Sequence, residues 1–248
     1  MRTDVAQPVH LADYMPTDYI VETVDLDFRL HENATRVVAR TRFRPNPKGR
    51  AGAPLTLDGD GLNPVKVALD GLTLDHAAVA SPNRLTIPLP PGQPFTLEVE
   101  TLVDPKANTQ LSGLYRSGSA FCTQCEAEGF RRITYSLDRP DVLAIYTTRI
   151  EAEKAEAPVL LSNGNPVAGG DIAGTSRHYA VWHDPHPKPS YLFALVGGDL
   201  GSIHDTFTTM SGRLVKLGIY VEHGKEDRAA YAMDALKRSM RWDERAFG

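Results

Sequence analysis

The chain has 248 residues, 42% hydrophobic and 23% charged, a balance typical of soluble globular proteins and rich enough in apolar residues for a sizeable core. Its formal net charge of -4, with no basic patch, argues against nucleic acid or an acidic membrane surface as partner. No run is long and apolar enough to span a bilayer, residues 1–8 carry no apolar signal-peptide core, and two cysteines three positions apart cannot staple a fold, so a cytoplasmic protein with reduced thiols is predicted.

From Tyr19 the pattern is β. Val24, Leu26, Phe28 and Leu30 alternate with Asp25, Asp27 and Arg29, as a strand with one face on a core and the other in water requires. After a turn at residues 31–34, Val37, Ala39, Thr41 and Phe43 alternate with Arg40, Arg42 and Arg44. This predicts an antiparallel hairpin whose acidic and basic outer faces pair across the two strands. Short strands follow at 55–57, 65–69, 85–89 and 95–103, broken by Asp58-Gly59-Asp60-Gly61, Asp70-Gly71 and Pro90-Pro91-Gly92. The strand at 65–69 enters a tight hairpin at Asp70-Gly71. No helical period of useful length precedes Gly113, and the spacing of strands and turns predicts a mainly β fold, an antiparallel β-sandwich or saddle.

Residues 121–142, reading FCTQCEAEGFRRITYSLDRPDV, break the alternation. Cys122, Gln124, Cys125, Glu126 and Glu128 fall close together, and Gly129 and Asp138-Arg139-Pro140 mark turns, the profile of a functional loop on a scaffold. A carboxylate shielded from water recognises a free ammonium through a charge-assisted hydrogen bond, which makes Glu126 the candidate for that task. Gln124 can both donate and accept, so it is the candidate to orient the same ligand or line its side-chain pocket. Glu128 is read as structural or solvent-facing, paired with Arg131 or Arg132. Cys122-x-x-Cys125 lacks the further ligands of a zinc site and the strand-to-helix setting of a redox pair, so ordinary reduced, partly buried thiols are predicted.

Further strands are predicted at 145–152, 159–162, 178–182 and 191–196, the last apolar on both parities and so covered on both faces. Asn163-Gly164 is a hairpin signal. The Pro-rich stretch 185–189 is expected to leave a central ladder, because proline lacks the donor. His183 and His186 invite a metal reading, but no spacing aims both imidazoles at one point and no carboxylate cluster completes a site, so a turn is preferred. At Gly197-Gly198-Asp199 the character changes, dividing the chain into a β domain, 1–199, and a second unit, 200–248. That unit holds a hairpin, 203–208 and 214–221, and beyond Gly224 a helix on which Ala229, Met233, Leu236 and Met240 follow spacings of three and four.

Thr123-Gln124-Cys125-Glu126-Ala127-Glu128-Gly129-Phe130-Arg131-Arg132-Ile133-Thr134, with Leu137-Asp138-Arg139-Pro140-Asp141 after it, resembles the substrate-amine segment of the bacterial aminopeptidase N (alanyl aminopeptidase) family of zinc metallopeptidases. The likeness continues at Leu161-Ser162-Asn163-Gly164-Asn165, in DPHPKP at 184–189 and in YLFALV at 191–196, and so covers most of the chain. The resemblance implies a β-rich N-terminal domain followed by a thermolysin-like catalytic domain with one zinc ion, peptide substrates, and roles for Glu126 and Gln124 in binding the substrate's first residue. The family's Gly-x-Met-Glu-Asn and His-Glu-x-x-His motifs do not occur in this sequence. The expectation is therefore an N-terminal part: the β domain plus the hairpin and helix that begin the catalytic domain, supplying recognition but no catalytic residue and no metal ligand. The resemblance implies a monomeric full-length enzyme. The stripe Met233, Leu236 and Met240, with Trp242 and Phe247 nearby, is expected to lack its partners here and to favour self-association or disorder. The alternative is a stand-alone β-sandwich binding or assembly module without enzymatic activity.

Overall fold

The structure is a computed structural model that describes residues 10–248, so the reading of residues 1–8 falls outside the described residues. β1 (Tyr19–Arg29) and β2 (Thr35–Pro45) form the expected hairpin, with Leu26 opposite Ala39 and Phe28 opposite Val37. Val24, Leu26, Phe28, Val37, Ala39 and Phe43 are buried and Asp25, Arg29, Arg40 and Arg42 exposed, as the two-residue period demands.

The chain continues through β3 (Leu55–Asp58), β4 (Asn63–Leu69), β5 (Leu72–Leu74), the single-turn helix α1 (His76–Val79), β6 (Ala80–Ser81), β7 (Arg84–Ile87) and β8 (Phe95–Val103). β9 (Gly113–Ser117) and β10 (Ala120–Gln124) precede the long loop, and β11 (Leu143–Glu153), β12 (Val159–Ser162), β13 (Asn165–Asp171), β14 (Arg177–Pro189) and β15 (Leu195–Gly198) follow it. Last come the hairpin of β16 (Gly201–Thr208) and β17 (Leu214–Val221) and helix α2 (Ala230–Phe247).

Eight strands form one sheet in the order β13-β14-β11-β1-β2-β8-β4-β5. A four-stranded sheet, β12-β15-β10-β9, and a three-stranded sheet, β3-β7-β6, pack against it. One core joins them: Phe28, Phe43, Phe95 and Ile150 from the large sheet, Phe121 and Leu195 from the second, Leu55 and Leu85 from the third, and Phe130 and Ile133 from the loop after β10. The mainly β reading holds, with one difference. β1 and β11 run parallel, Thr23 opposite Ile145 through Arg29 opposite Glu151. No hairpin joins them; the whole stretch between Arg29 and Leu143 does, and a long crossover leaves the direction of the second strand free.

Other expectations need correction. The cross-strand pairing of β1 and β2 holds only at one end, where Glu22 takes Arg42 at 2.9 Å and Arg44 at 3.1 Å; Asp25 lies opposite Arg40, yet the Arg40 guanidinium bonds Glu98 of β8 at 2.7 Å. β2 has β8 on its other flank, and the carboxylates of Glu98 and Glu100 there take Arg40 and Arg36. The segment expected as loop from Phe121 begins as strand β10, turned back on β9 through Gly118 at φ 58°. Asn163-Gly164 joins strands of different sheets, because β12 pairs with β15 and β13 with β14. Gly164 has φ 86° and a Cβ there would lie 2.5 Å from Asp184 Cα, so this crossing needs glycine. β14 continues through the prolines to Pro189, opposite Leu143 of β11. Its other neighbour, β13, pairs no further than His183, and the register of β14 against β11 shifts between Asp184 and Lys188, so Pro185 and Pro187 fall in an irregularity where the ladder asks no donor of them. β15 begins at Leu195 because Ser190–Leu192 form a 3-10 turn after Pro189, and Leu192 is half exposed.

The helical stripe also finds a partner within the chain. Met233 packs with Phe207 and Leu217 of the β16–β17 hairpin, and Leu236 and Met240 join Ile203, Val215 and Ile219 around them. The period-two face of β17 supplies an apolar surface matching the helix, so the stripe is covered, while Trp242 and Phe247 stay exposed. This second cluster is separate from the main core.

Candidate functional site

β10 carries the chain up to the site. It is held on one side by β9, Gln124 opposite Gly113, and on the other by β15, Cys122 opposite Val196. Near its end the Thr123 hydroxyl accepts from the Leu195 N–H at 2.8 Å. The strand then breaks into a tight turn, closed by Gly129 N–H donating to Cys125 O at 2.8 Å. Glu126, Ala127 and Glu128 ride on the outside of that turn, all exposed, and the Glu126–Ala127 peptide is cis. Gly129 is buried against its own turn. A Cβ there would strike the Gln124 carbonyl oxygen and sit 2.9 Å from Cys125 Cα.

The residues that follow nail this turn to the core. Phe130 is buried, its ring edge-on to Phe193 at 5.4 Å and to Tyr146 at 6.1 Å. Arg131 closes on Asp138: its backbone N–H and its Nε donate to Asp138 Oδ2 at 3.2 and 3.0 Å, and Nη2 donates to the Asp138 carbonyl oxygen at 3.0 Å. The Asp138 side chain is wholly buried and its second oxygen accepts from the Ser190 hydroxyl at the end of β14. Arg132 turns the other way, donating to Asp60 Oδ2 at 2.6 Å and to Ser112 O at 3.2 Å. Loop, strand and distant turn are thereby tied at one point.

Above this base lies an open depression of about 460 Å³, lined among others by Asp60, Ser112, Glu126, Glu128, Arg131 and Arg132. The cations are already engaged, Arg132 by Asp60 and Arg131 by Asp138, with Glu128 at 3.5 Å as a further partner of Arg131. Glu128 thus takes the pairing expected of it. Among the described residues, the Glu126 carboxylate has no hydrogen bond or ion pair. Gln124 stands beside it but outside the lining, and its Nε2 donates to the Glu126 carbonyl oxygen at 3.3 Å. The two candidates are brought together, Gln124 bracing the turn and Glu126 facing the depression. A larger depression, about 590 Å³, lies elsewhere, around Asp18, Lys48, Arg50 and Arg139. There Asp18 and Arg50 are paired at 2.7 Å and Arg139 holds Asp141 at 2.7 Å, so it offers no comparable free carboxylate.

The thiols are poor nucleophiles. Burial pushes Cys125 up to about 12, with the nearby Asp138 charge adding to the effect. Burial also raises Cys122, partly offset by Arg116. A redox pair needs the opposite, a stabilised thiolate. His183 Nδ1 is bonded to the Thr147 hydroxyl at 3.1 Å, His186 follows on the proline stretch, and among the described residues no three His, Cys, Asp or Glu side chains come together to hold a metal ion. No described helix is long and apolar enough to cross a membrane.

Sequence reasoning missed Arg131, Asp138, Ser190 and Asp60 as the frame of the site. The arginine pair that follows Gly129-Phe130 was the visible signal, but Asp60 and Ser190 lie too far along the chain to be read locally.

The Peptidase M1 N-terminal domain family matches residues 21–192. The chain is similar to the aminopeptidase N of Caulobacter vibrioides, 53% identical over 100% of this chain and 28% of that protein. It is also similar to the aminopeptidase N of Escherichia coli, 48% identical over 99% of this chain and 28% of that protein. Among solved structures it resembles Legionella pneumophila aminopeptidase A in complex with aspartic acid, with a TM-score of 0.87 and 36% identity over 96% of this chain and 28% of that one. The chain therefore spans about 28% of the length of the curated relatives it matches.

Proposed function

Since the chain belongs to the peptidase M1 family and carries its N-terminal domain, we propose that it supplies substrate-amine recognition to a zinc-dependent aminopeptidase that removes single residues from peptide N-termini. The observation that carries this reading is the free carboxylate of Glu126. It faces a depression whose arginines are held by other acids, on a turn fixed by Gly129, Phe130 and the Arg131–Asp138 clamp. A peptide ammonium arriving there gains a charged acceptor without displacing a resident cation. Gln124 braces the same turn through the Glu126 carbonyl, and its amide oxygen is left to meet the first residue of the peptide.

The donor set of this chain does not fit a zinc ion. No His-Glu-x-x-His occurs in the sequence, and no cluster of three ligating side chains forms among the described residues. In this reading the zinc and the groups that activate its water belong to a catalytic domain, and no hydrolytic step is assigned to the residues described here. Residues 1–199 then form the recognition domain and 200–248 open the catalytic one; the separate cluster around Met233 supports that division. The setting is cytoplasmic, and peptides are the partner.

Two assays test the reading. The purified 248-residue chain, with and without added zinc, is expected to leave an alanine or arginine chromogenic amide intact; turnover with stoichiometric zinc would overturn it. In the full-length enzyme, Glu126→Gln is expected to lower kcat/KM for the same amide roughly 10- to 150-fold, the loss of one hydrogen bond between charged groups. An unchanged kcat/KM would remove Glu126 from the site.

A further inference from the structure

Beneath the clamp that holds the Glu126 turn, the core encloses a small cavity of about 20 Å³. Its walls are largely apolar, with Val21, Phe43 and Tyr146 among them. Among its hydroxyl-bearing residues are Thr134 and Ser136, and the Oγ1 of the first and Oγ of the second are buried without any protein hydrogen-bond partner. Buried hydroxyls are bonded in the great majority of cases, so two orphans bordering one cavity point to a shared partner. The hydroxyl of Ser190 belongs to the same lining; it donates to Asp138 Oδ1 and keeps its lone pairs as acceptors.

We propose that this cavity is a binding site for a single ordered water bridging Thr134, Ser136 and Ser190. The volume is right for one water, which needs about 10–15 Å³ and two to four polar partners. The bonds balance: the water accepts from one orphan hydroxyl, donates to the other, and donates its second proton to the free lone pair of Ser190. An apolar ligand of any size is excluded by the volume, and an ion by the absence of a charged group among the lining residues. The bound water extends the buried chain Ser190–Asp138–Arg131 into the segment after Phe130, so that the floor of the depression is linked through hydrogen bonds to the end of β14. It serves as a fixed structural element of the recognition site, not as a reactant.

A crystal structure of the 248-residue chain, at a resolution that reveals ordered waters, tests this. The expected result is one peak within hydrogen-bond distance of Thr134 Oγ1 and Ser136 Oγ. A cavity without density, with both hydroxyls turned onto neighbouring carbonyls, would overturn the proposal. Water relaxation dispersion in solution gives a second readout: Thr134→Val with Ser136→Ala is expected to lose one long-lived water per chain, and an unchanged dispersion amplitude would count against the site. If that double variant does not fold, the density in the unsubstituted chain decides.

Discussion

Asp138 gives the sharpest test of how the turn carrying Glu126 is held. Its wholly buried carboxylate takes the Arg131 backbone N–H at 3.2 Å, Arg131 Nε at 3.0 Å and the Ser190 hydroxyl. Asp138→Ala removes the acceptor for all three. The Arg131 N–H and the Ser190 O–H, left unmet, cost about 1–3 kcal/mol each. The guanidinium suffers less, because its side chain is 20% exposed and Glu128 and Asp58 remain at 3.5 and 3.8 Å. The total expected is about 3–5 kcal/mol, the range for removing one member of a buried ion pair. Asp138→Asn keeps the shape and one acceptor oxygen, so about 1–3 kcal/mol is expected of it. Urea unfolding followed by far-UV circular dichroism reads both losses as midpoint shifts at constant m. A loss below about 1 kcal/mol for Asp138→Ala, well under the buried-pair range, would refute the clamp.

The other predictions concern the turn, the thiols and the charged outer face. Gly129→Ala places a methyl against the Gln124 carbonyl and Cys125 Cα, and should destabilise by about 1–3 kcal/mol in the same unfolding assay; an unaltered midpoint would mean that the turn can shift freely. With Cys125 raised to about 12, a disulfide reagent at mildly alkaline pH should leave that thiol unlabelled in the folded chain and modify both cysteines only after unfolding. Rapid labelling of Cys125 in the native state would contradict its burial. Hydrogen bonds from Lys66 and Arg36 hold Glu98 and Glu100 below the usual glutamate range. A depressed carboxylate stabilises the fold above its unfolded pKa and loses that contribution as pH falls through the folded value. The melting temperature should therefore be flat near neutrality and fall once the pH drops below the ordinary glutamate range, less steeply in high salt; a melting temperature that rises on acidification would reverse the sign of the argument.

Much of the fold was legible because it depends on residues two apart. Val24, Leu26 and Phe28 announce β1, and Val37, Ala39 and Phe43 announce β2, since burial of one face needs nothing beyond a local alternation. Asp70-Gly71 likewise announces the β4–β5 turn, with positive φ at both residues. The errors arise where a distant strand decides. Arg40 chooses Glu98 over Asp25 because β8 lies on its other flank, and the register between β2 and β8 is set by the fold as a whole. Pro185, Pro187 and Pro189 stay in strand because β13 has already stopped pairing, a fact about the neighbour that the proline stretch does not contain. The stripe on α2 was read correctly as apolar and wrongly as unpartnered, since its cover is the chain's own preceding hairpin.

The site divides along the same line. Glu126 and Gln124 stand out in the sequence, because a carboxylate and an amide two positions apart form a local triplet. What makes Glu126 available is not local. Arg131 and Arg132 sit only five and six positions beyond it, and either could neutralise it if unoccupied. Asp60, far back in the chain, holds Arg132, and Asp138, anchored by Ser190 still further on, holds Arg131. The free carboxylate is therefore a product of three separate segments meeting at one turn. Two of those acids keep cations away from a third, and that arrangement leaves the depression with a single unpaired negative charge, which the proposed function assigns to the incoming ammonium.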